Sequence, residues 1–295
     1  MLGVVLQKAE RHFHSHPQWP VLYLPDLIGR SFQLPRVQIE RLSLVNLFLF
    51  CFADITDDAE DGDTEEFWQS WGWQQAVNTG NCLLFSCLRQ AGRVSDCPDI
   101  SLRLVELYSV AGIKMTIGQH SDLRNSLPYR VSMEEYLSAI IGKTGASASA
   151  FACSPALLAK QPSAVIEGLA TYGENLGIVI QLVSDVRELW ADPIGPDSMN
   201  GRLSLPILYA LDRCDTEEER ELLEASMALK ETGQVGQLRE RLENLGVRLF
   251  VEAKIELFRR KARLALEQIS LEASLQKSLE DLLDIPVFSA FIPLI

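Results

Sequence analysis

Residues Leu42 to Asp61 read LSLVNLFLFCFADITDDAED, an apolar run that ends in carboxylates. Its first part, Leu42 to Ala53, is twelve nearly uncharged residues, which is too short to span a bilayer and suits a helix buried in a protein core. In the second part Asp54, Asp57, Asp58 and Asp61 fall at i, i+3, i+4 and i+7, so all four project from one face of that helix. The window Asp54 to Glu66 holds eight carboxylates and no cation. A helix C-terminus already carries partial negative charge, so this crowding calls for a compensating cation. Oxygen donors fixed on one rigid face suit a hard ion such as Mg²⁺, held together with substrate phosphate oxygens.

Outside this stretch the apolar positions recur at intervals of three and four, and alternating β-branched runs are scarce, so the fold class is all-α. Leu42 to Asp61, Ile100 to Arg124, Met133 to Leu158, Ala164 to Trp190, Glu217 to Lys230 and Phe250 to Leu282 each read as helices of several turns. Ser126-Leu127-Pro128, Gln161-Pro162-Ser163 and the stretch Asp192 to Asp197 punctuate them with prolines. None is a long flexible linker and no internal repeat is present. Residues 1–295 are therefore expected to form a single domain, a helical bundle around a deep central cavity.

With 47% hydrophobic and 23% charged residues, the chain has the composition of a globular protein that can bury a sizeable core. Its 27 Lys and Arg against 40 Asp and Glu give a net charge of −13, and no basic block offers the footprint that nucleic-acid binding needs. Six scattered cysteines include no C-x-x-C pair, which reads as reduced thiols. Met1 to His16 lacks the apolar core of an export signal, and no run spans a membrane, so the expected location is cytoplasmic. A second polar face, Gln181, Ser184, Asp185 and Glu188, lies near the end of the helix Ala164 to Trp190. Two such helix ends facing each other across a bundle would hold several metal ions between them.

These residues resemble a known family. Asp57-Asp58-Ala59-Glu60-Asp61 matches the D-D-x-x-D motif of trans-isoprenyl diphosphate synthases, and Gln181 to Glu188 resembles their Q-x-x-D-D-x-x-D. Gly118-Gln119 with Asp122 resembles G-Q-x-x-D, Lys143-Thr144-Gly145-Ala146 resembles K-T-G/A, and Gly201 to Pro206 resembles G-K-x-T-L-P, all in family order. The resemblance implies the class I isoprenoid synthase fold, more than one Mg²⁺ ion and an allylic prenyl diphosphate as substrate. Carried over by position, Asp57, Asp58 and Asp61 are metal ligands on one side, with Asp185, Glu188 and Ser184 on the other. Lys143, Arg202, Gln119 and Gln181 are implied to hold the substrate diphosphate, Lys143 also counting among the catalytic residues. A homodimer is implied as well.

Three departures bear on the activity. Elongating synthases carry a G-K-x-x-R segment before the first motif and an R-R pair behind it, which hold a second diphosphate. From Leu42 through Leu88 there is no Lys or Arg, and upstream only Gly29-Arg30 resembles the first segment. Where the R-R pair would lie stand Phe67, Trp68, Trp71 and Trp73, whose faces would stabilise a carbocation or make an apolar contact. The second motif has Ser184 and Glu188 in place of two aspartates.

A second diphosphate beside eight uncompensated carboxylates is electrostatically disfavoured. The expected reaction is therefore ionisation of one prenyl diphosphate with a terpene cyclase-like outcome, for which the small residues Gly142 and Gly145 to Ala150 would leave room. Alternatives are transfer to an uncharged acceptor such as a peptide tryptophan, chain elongation, and a non-catalytic partner subunit. One or two of Phe48, Phe50 and Phe52 are expected to face the cavity. The basic patch from Arg259 to Arg263 reads as a solvated face.

Overall fold

The computed structural model describes residues 20–61, 72–125, 131–190, 202–216, 220–221, 223, 232–285 and 287. Helices α1 (Pro20–Ser31), α2 (Arg36–Asp61), α3 (Trp73–Ala91) and α4 (Pro98–Asp122) form the first part of a bundle. They are followed by α5 (Met133–Ile140), a π-helical turn (Ile141–Gly145), α6 (Ala146–Leu158) and α7 (Ser163–Trp190). The remaining elements are α8 (Leu205–Asp212), α9 (Thr232–Asn244), α10 (Val247–Glu267) and α11 (Ala273–Asp281). There is no β-strand among the described residues. Proline at the first turn starts α4, and Ser132 caps α5 in a reciprocal box with Glu135.

Two buried clusters fill the bundle. The first joins α1 to α4, α6 and the first half of α7 through Leu24, Leu49, Leu83, Leu104, Phe151 and Leu169. The second joins α5, the second half of α7 and α8 to α10 through Tyr136, Leu182, Val186, Leu208, Leu242 and Val251. Helix α7 passes from one cluster to the other between Leu176 and Ile178. At that changeover Gly177 meets the π-helical turn so closely that an added Cβ would lie 2.7 Å from the Thr144 carbonyl oxygen. On the other side of the turn, a Cβ on Gly118 would lie 2.3 Å from the Lys143 backbone nitrogen. Lys143 and Thr144 are thus held between α4 and α7, at the seam of the two clusters.

Several readings of the sequence need correction. The long helix expected over Phe250 to Leu282 is two helices, α10 and α11. Between them Ile269 packs against Gly168 of α7, where an added Cβ would come within 2.5 Å of it. Met133 to Leu158 is one path, but the π-helical turn divides it. The small residues from Gly142 to Ala150 do not leave room. Gly142 abuts Gly118, Ala148 abuts Gly173 and Gly177, and Ala146 and Ala150 are in the core, so smallness here permits close helix contact. Helices α1, α3, α8 and α9 were not foreseen, while most of Glu217 to Lys230 and the breaks at 126–128 and 192–197 lie outside the described residues.

Of the three phenylalanines, Phe52 is buried against α3 near Gly80, and Phe48 and Phe50 are half-buried against the first cluster. The face of α2 that descends from Asp57 reaches buried Asn46, whose side-chain oxygen accepts a hydrogen bond from the Tyr108 hydroxyl of α4. Ser154 of α6 lies 3.0 Å from the same hydroxyl. Two helices that carry site residues, α2 and α4, are therefore tied to each other and to α6 by polar groups deep in the first cluster.

Candidate active site

Lys143 is the hub of the seam. Its Nζ donates to Asp57 Oδ1 of α2 at 2.7 Å and to Asp122 Oδ2 of α4 at 3.1 Å. Arg202 Nη1 donates to the same Asp122 oxygen at 2.9 Å, so one carboxylate bridges two cations. All four side chains are mostly buried, with Asp57 the most exposed at 30%. Burial alone would weaken the Lys143 ammonium, but Asp57 and Asp122 outweigh it and hold its pKa above the ordinary lysine value. Burial draws the Arg202 guanidinium below its usual value, against the opposing pull of Asp57.

Asp122 is itself held by the Asn125 amide at 3.1 Å. The Asn125 carbonyl accepts the Leu203 N–H at 2.8 Å, which fixes the segment carrying Arg202 against the end of α4. On the α7 side, Thr144 Oγ1 donates to Gln181 Oε1 at 2.7 Å, and Gln181 Nε2 donates to Asp185 Oδ1 at 3.0 Å. The other Asp185 oxygen accepts from the hydroxyl of buried Tyr136. Burial, then the Asp185 charge, drive the Tyr136 pKa far above the ordinary range, so it stays a donor. Glu60 is raised first by burial, with the nearby Gln119 amide opposing. Even so, neither Gln119 amide atom completes a hydrogen bond, although both are buried.

The structure thus brings Asp57, Lys143 and Arg202 together around Asp122, with Gln181, Asp185 and Glu188 on the same cavity, while Asp58, Gln119 and Ser184 ride on the helices that carry Asp57, Asp122 and Asp185. Lys143, Gln181, Asp185, Glu188 and Arg202 share the lining of a cavity of about 40 Å³ with Asp122, Asn125, Tyr136 and Ser204. Asp61 is the last residue of α2, and its side chain lies outside the described residues, as do Phe67, Trp68 and Trp71. Trp73 is 60% exposed at the start of α3 and forms no wall of the site. Arg187 is buried in α7 and is not a surface neighbour of the second motif.

Asp122, Asn125 and Tyr136 escaped the residue-by-residue reading. Asp122 stood in the G-Q-x-x-D segment, the signal that could have promoted it. Tyr136 lies seven residues before Lys143, roughly two helical turns away.

The donor set is chemically suited to a hard divalent cation: carboxylates on two helices, two hydroxyls and amide oxygens, with no thiol or imidazole lining the cavity. Among the described residues no three such acidic, imidazole or thiol groups close on one point. The carboxylates instead form two walls, with Lys143 and Arg202 between them.

Comparison with known proteins gives the family and the fold. A family model described as polyprenyl synthetase matches residues 40–245. Geranylgeranyl diphosphate synthase of Mycobacterium tuberculosis is 28% identical over 173 residues, 55% of this chain and 49% of that protein. A short chain isoprenyl diphosphate synthase of Methanocaldococcus jannaschii is 28% identical over 181 residues, 58% of this chain and 55% of its own length. The chain thus spans about half the length of these curated relatives. Polyprenyl synthetase from Streptomyces coelicolor A3(2) has the same fold, with a TM-score of 0.79 at 23% identity over 90% of this chain and 83% of its own. Geranylgeranyl pyrophosphate synthetase from Pyrococcus horikoshii Ot3 gives 0.79 at 23% identity, over 95% and 96%.

Proposed function

The chain belongs to the polyprenyl synthetase family, with the class I isoprenoid synthase fold, and from that premise we propose that it ionises a single allylic prenyl diphosphate and resolves the cation without a second diphosphate. One observation carries this reading. Among the described residues, Lys143 and Arg202, joined through Asp122, are the cations that line the cavity with Asp185 and Glu188, and no Lys or Arg from Leu42 through Leu88 adds a second anion site. Arg36 is 21 residues before Asp57 on α2, about 31 Å away along the axis. It pairs there with Glu40, and Arg30 pairs with Asp26.

In this reading Asp57, Asp58 and Asp61 would hold Mg²⁺ ions from one side of the site, and Asp185, Glu188 and Ser184 from the other. Bound Mg²⁺ supplies Lewis-acid neutralisation of the diphosphate's charge. Lys143 releases Asp57 for a phosphate oxygen when the substrate enters, while Asp122 stays bonded to Lys143 and Arg202 and keeps both aimed at the diphosphate. As the allylic C–O bond breaks, its electron pair leaves on the diphosphate, where these two fixed cations stabilise the growing charge. Before substrate enters, Asp57 and Asp122 favour the ammonium form of Lys143 over the desolvation that opposes it. Gln119, whose buried amide completes no hydrogen bond, is free to turn towards a phosphate oxygen.

A second reading, chain elongation with isopentenyl diphosphate, is favoured by the relatives, which are named as elongating synthases. Release of inorganic diphosphate from farnesyl or geranylgeranyl diphosphate alone, in Mg²⁺, supports the first. Release that begins only after isopentenyl diphosphate is added supports the second.

No helix among the described residues is long and apolar enough to cross a membrane. We also read residues 1–295 as one domain that works in the cytoplasm as a homodimer. The exposed side chains of Phe85 on α3 and Leu102, Val110, Ile113 and Ile117 on α4 support the dimer, since they give two adjacent helices an uncovered apolar surface.

A further inference from the structure

We infer that Tyr136 is a positioning residue for Asp185, completing a two-sided clamp on its carboxylate. This rests on the reading of Asp185 as a metal ligand given above. Tyr136 is 3% exposed, and its ring packs in the second cluster between α5, α7 and α8. A phenylalanine would fill that space equally well and would spare the cost of carrying a hydroxyl into an apolar core. The hydroxyl has a specific use there: it donates to Asp185 Oδ2.

The opposite oxygen, Oδ1, is met at 3.0 Å by the Gln181 amide, whose own orientation is set by Thr144 at 2.7 Å. Each carboxylate oxygen therefore has a donor, and the pair fixes both the side-chain rotamer and the plane of the carboxylate. The clamp matters more here than in a motif with paired aspartates. Ser184 stands beside Asp185, which leaves Asp185 as the one aspartate of this face of α7.

Tyr136 also lines the same cavity as Arg202, Leu203 and Ser204, the residues that lead into α8 at Leu205. Arg202 lies three residues before Leu205 and is bound to Asp122. Tyr136 thus joins the carboxylate wall of α7 to the segment that presents the diphosphate-binding arginine. Second-layer groups that orient a ligating side chain typically change metal affinity by about 10-fold to 100-fold when removed.

The test is a double-mutant cycle read by Mn²⁺ binding in the presence of inorganic diphosphate, followed by electron paramagnetic resonance on the full chain. Tyr136→Phe is expected to weaken Mn²⁺ binding by about 10-fold, with little change in melting temperature. Asp185→Asn is expected to weaken it at least as much, and the double variant no further than Asp185→Asn alone, because Tyr136 acts through that carboxylate. Wild-type Mn²⁺ affinity in Tyr136→Phe, with Asp185→Asn impaired, overturns the clamp and leaves the metal assignment standing. Unchanged affinity in Asp185→Asn overturns both. Additive effects in the double variant also overturn the clamp. Should Tyr136→Phe not fold, Gln181→Ala removes the donor from the other oxygen and enters the same cycle, with the same non-additivity expected and additivity overturning the clamp.

Discussion

Lys143 gives the site its electrostatic character, since it is a buried ammonium held charged by two carboxylates from different helices. Replacing it by methionine keeps the stem's volume and removes the charge. Lys143→Met is expected to lower kcat/KM by about 10²-fold to 10³-fold, the scale seen when one charge-stabilising donor is lost, with a smaller change in KM. Steady-state kinetics on the allylic substrate measure it, and a change confined to KM would assign Lys143 to ground-state binding alone. Far below, the Tyr108 hydroxyl joins Asn46 and Ser154 inside the first cluster. Tyr108→Phe leaves the Asn46 side chain without this donor in a dry environment and is expected to cost about 1–3 kcal/mol of stability. Urea unfolding gives the value, and no loss would mean that the cluster relaxes around the missing oxygen.

At the scale of elements, the site depends on how closely the π-helical turn sits between α4 and α7. A Cβ on Gly118 would lie 2.3 Å from the Lys143 backbone nitrogen, so the turn must move if one is added. Gly118→Ala is therefore expected to destabilise the protein by about 1–3 kcal/mol. It should also reduce turnover out of proportion to that loss, because Lys143 shifts away from Asp57 and Asp122; melting curves and kinetics on one preparation compare the two. The sequence made part of this arrangement legible. Asp57 and Asp58, and Ser184, Asp185 and Glu188, could be placed because each set rides on an unbroken helix whose spacing fixes its face. Asp122 and Tyr136 could not be ranked, since their importance comes from contacts between helices that lie far apart in the chain. The small-residue run from Gly142 to Ala150 was misread for a related reason: a glycine that opens space and one that permits contact look the same in one dimension. The break between α10 and α11 falls where Ile269 packs against Gly168 of α7, a partner about 100 residues away that no local pattern announces.

At the scale of the whole molecule, two apolar clusters meet along α7 and the polar chemistry sits where they join. The bundle presents its other notable feature on the outside, where Phe85, Leu102, Ile113 and Ile117 leave α3 and α4 apolar and exposed. Ile113→Asp is expected to convert the proposed dimer to a monomer, as read by size-exclusion chromatography with light scattering; wild-type protein already monomeric at micromolar concentration would refute the dimer. The central claim concerns the number of diphosphates the site accepts. It is tested most directly by analysing both hydrocarbon and diphosphate products formed in Mg²⁺ from geranyl, farnesyl and geranylgeranyl diphosphate, each with and without isopentenyl diphosphate. The account predicts cyclic or hydroxylated products from one allylic substrate alone, unchanged by isopentenyl diphosphate. Longer prenyl diphosphates, formed only when isopentenyl diphosphate is present, would contradict it.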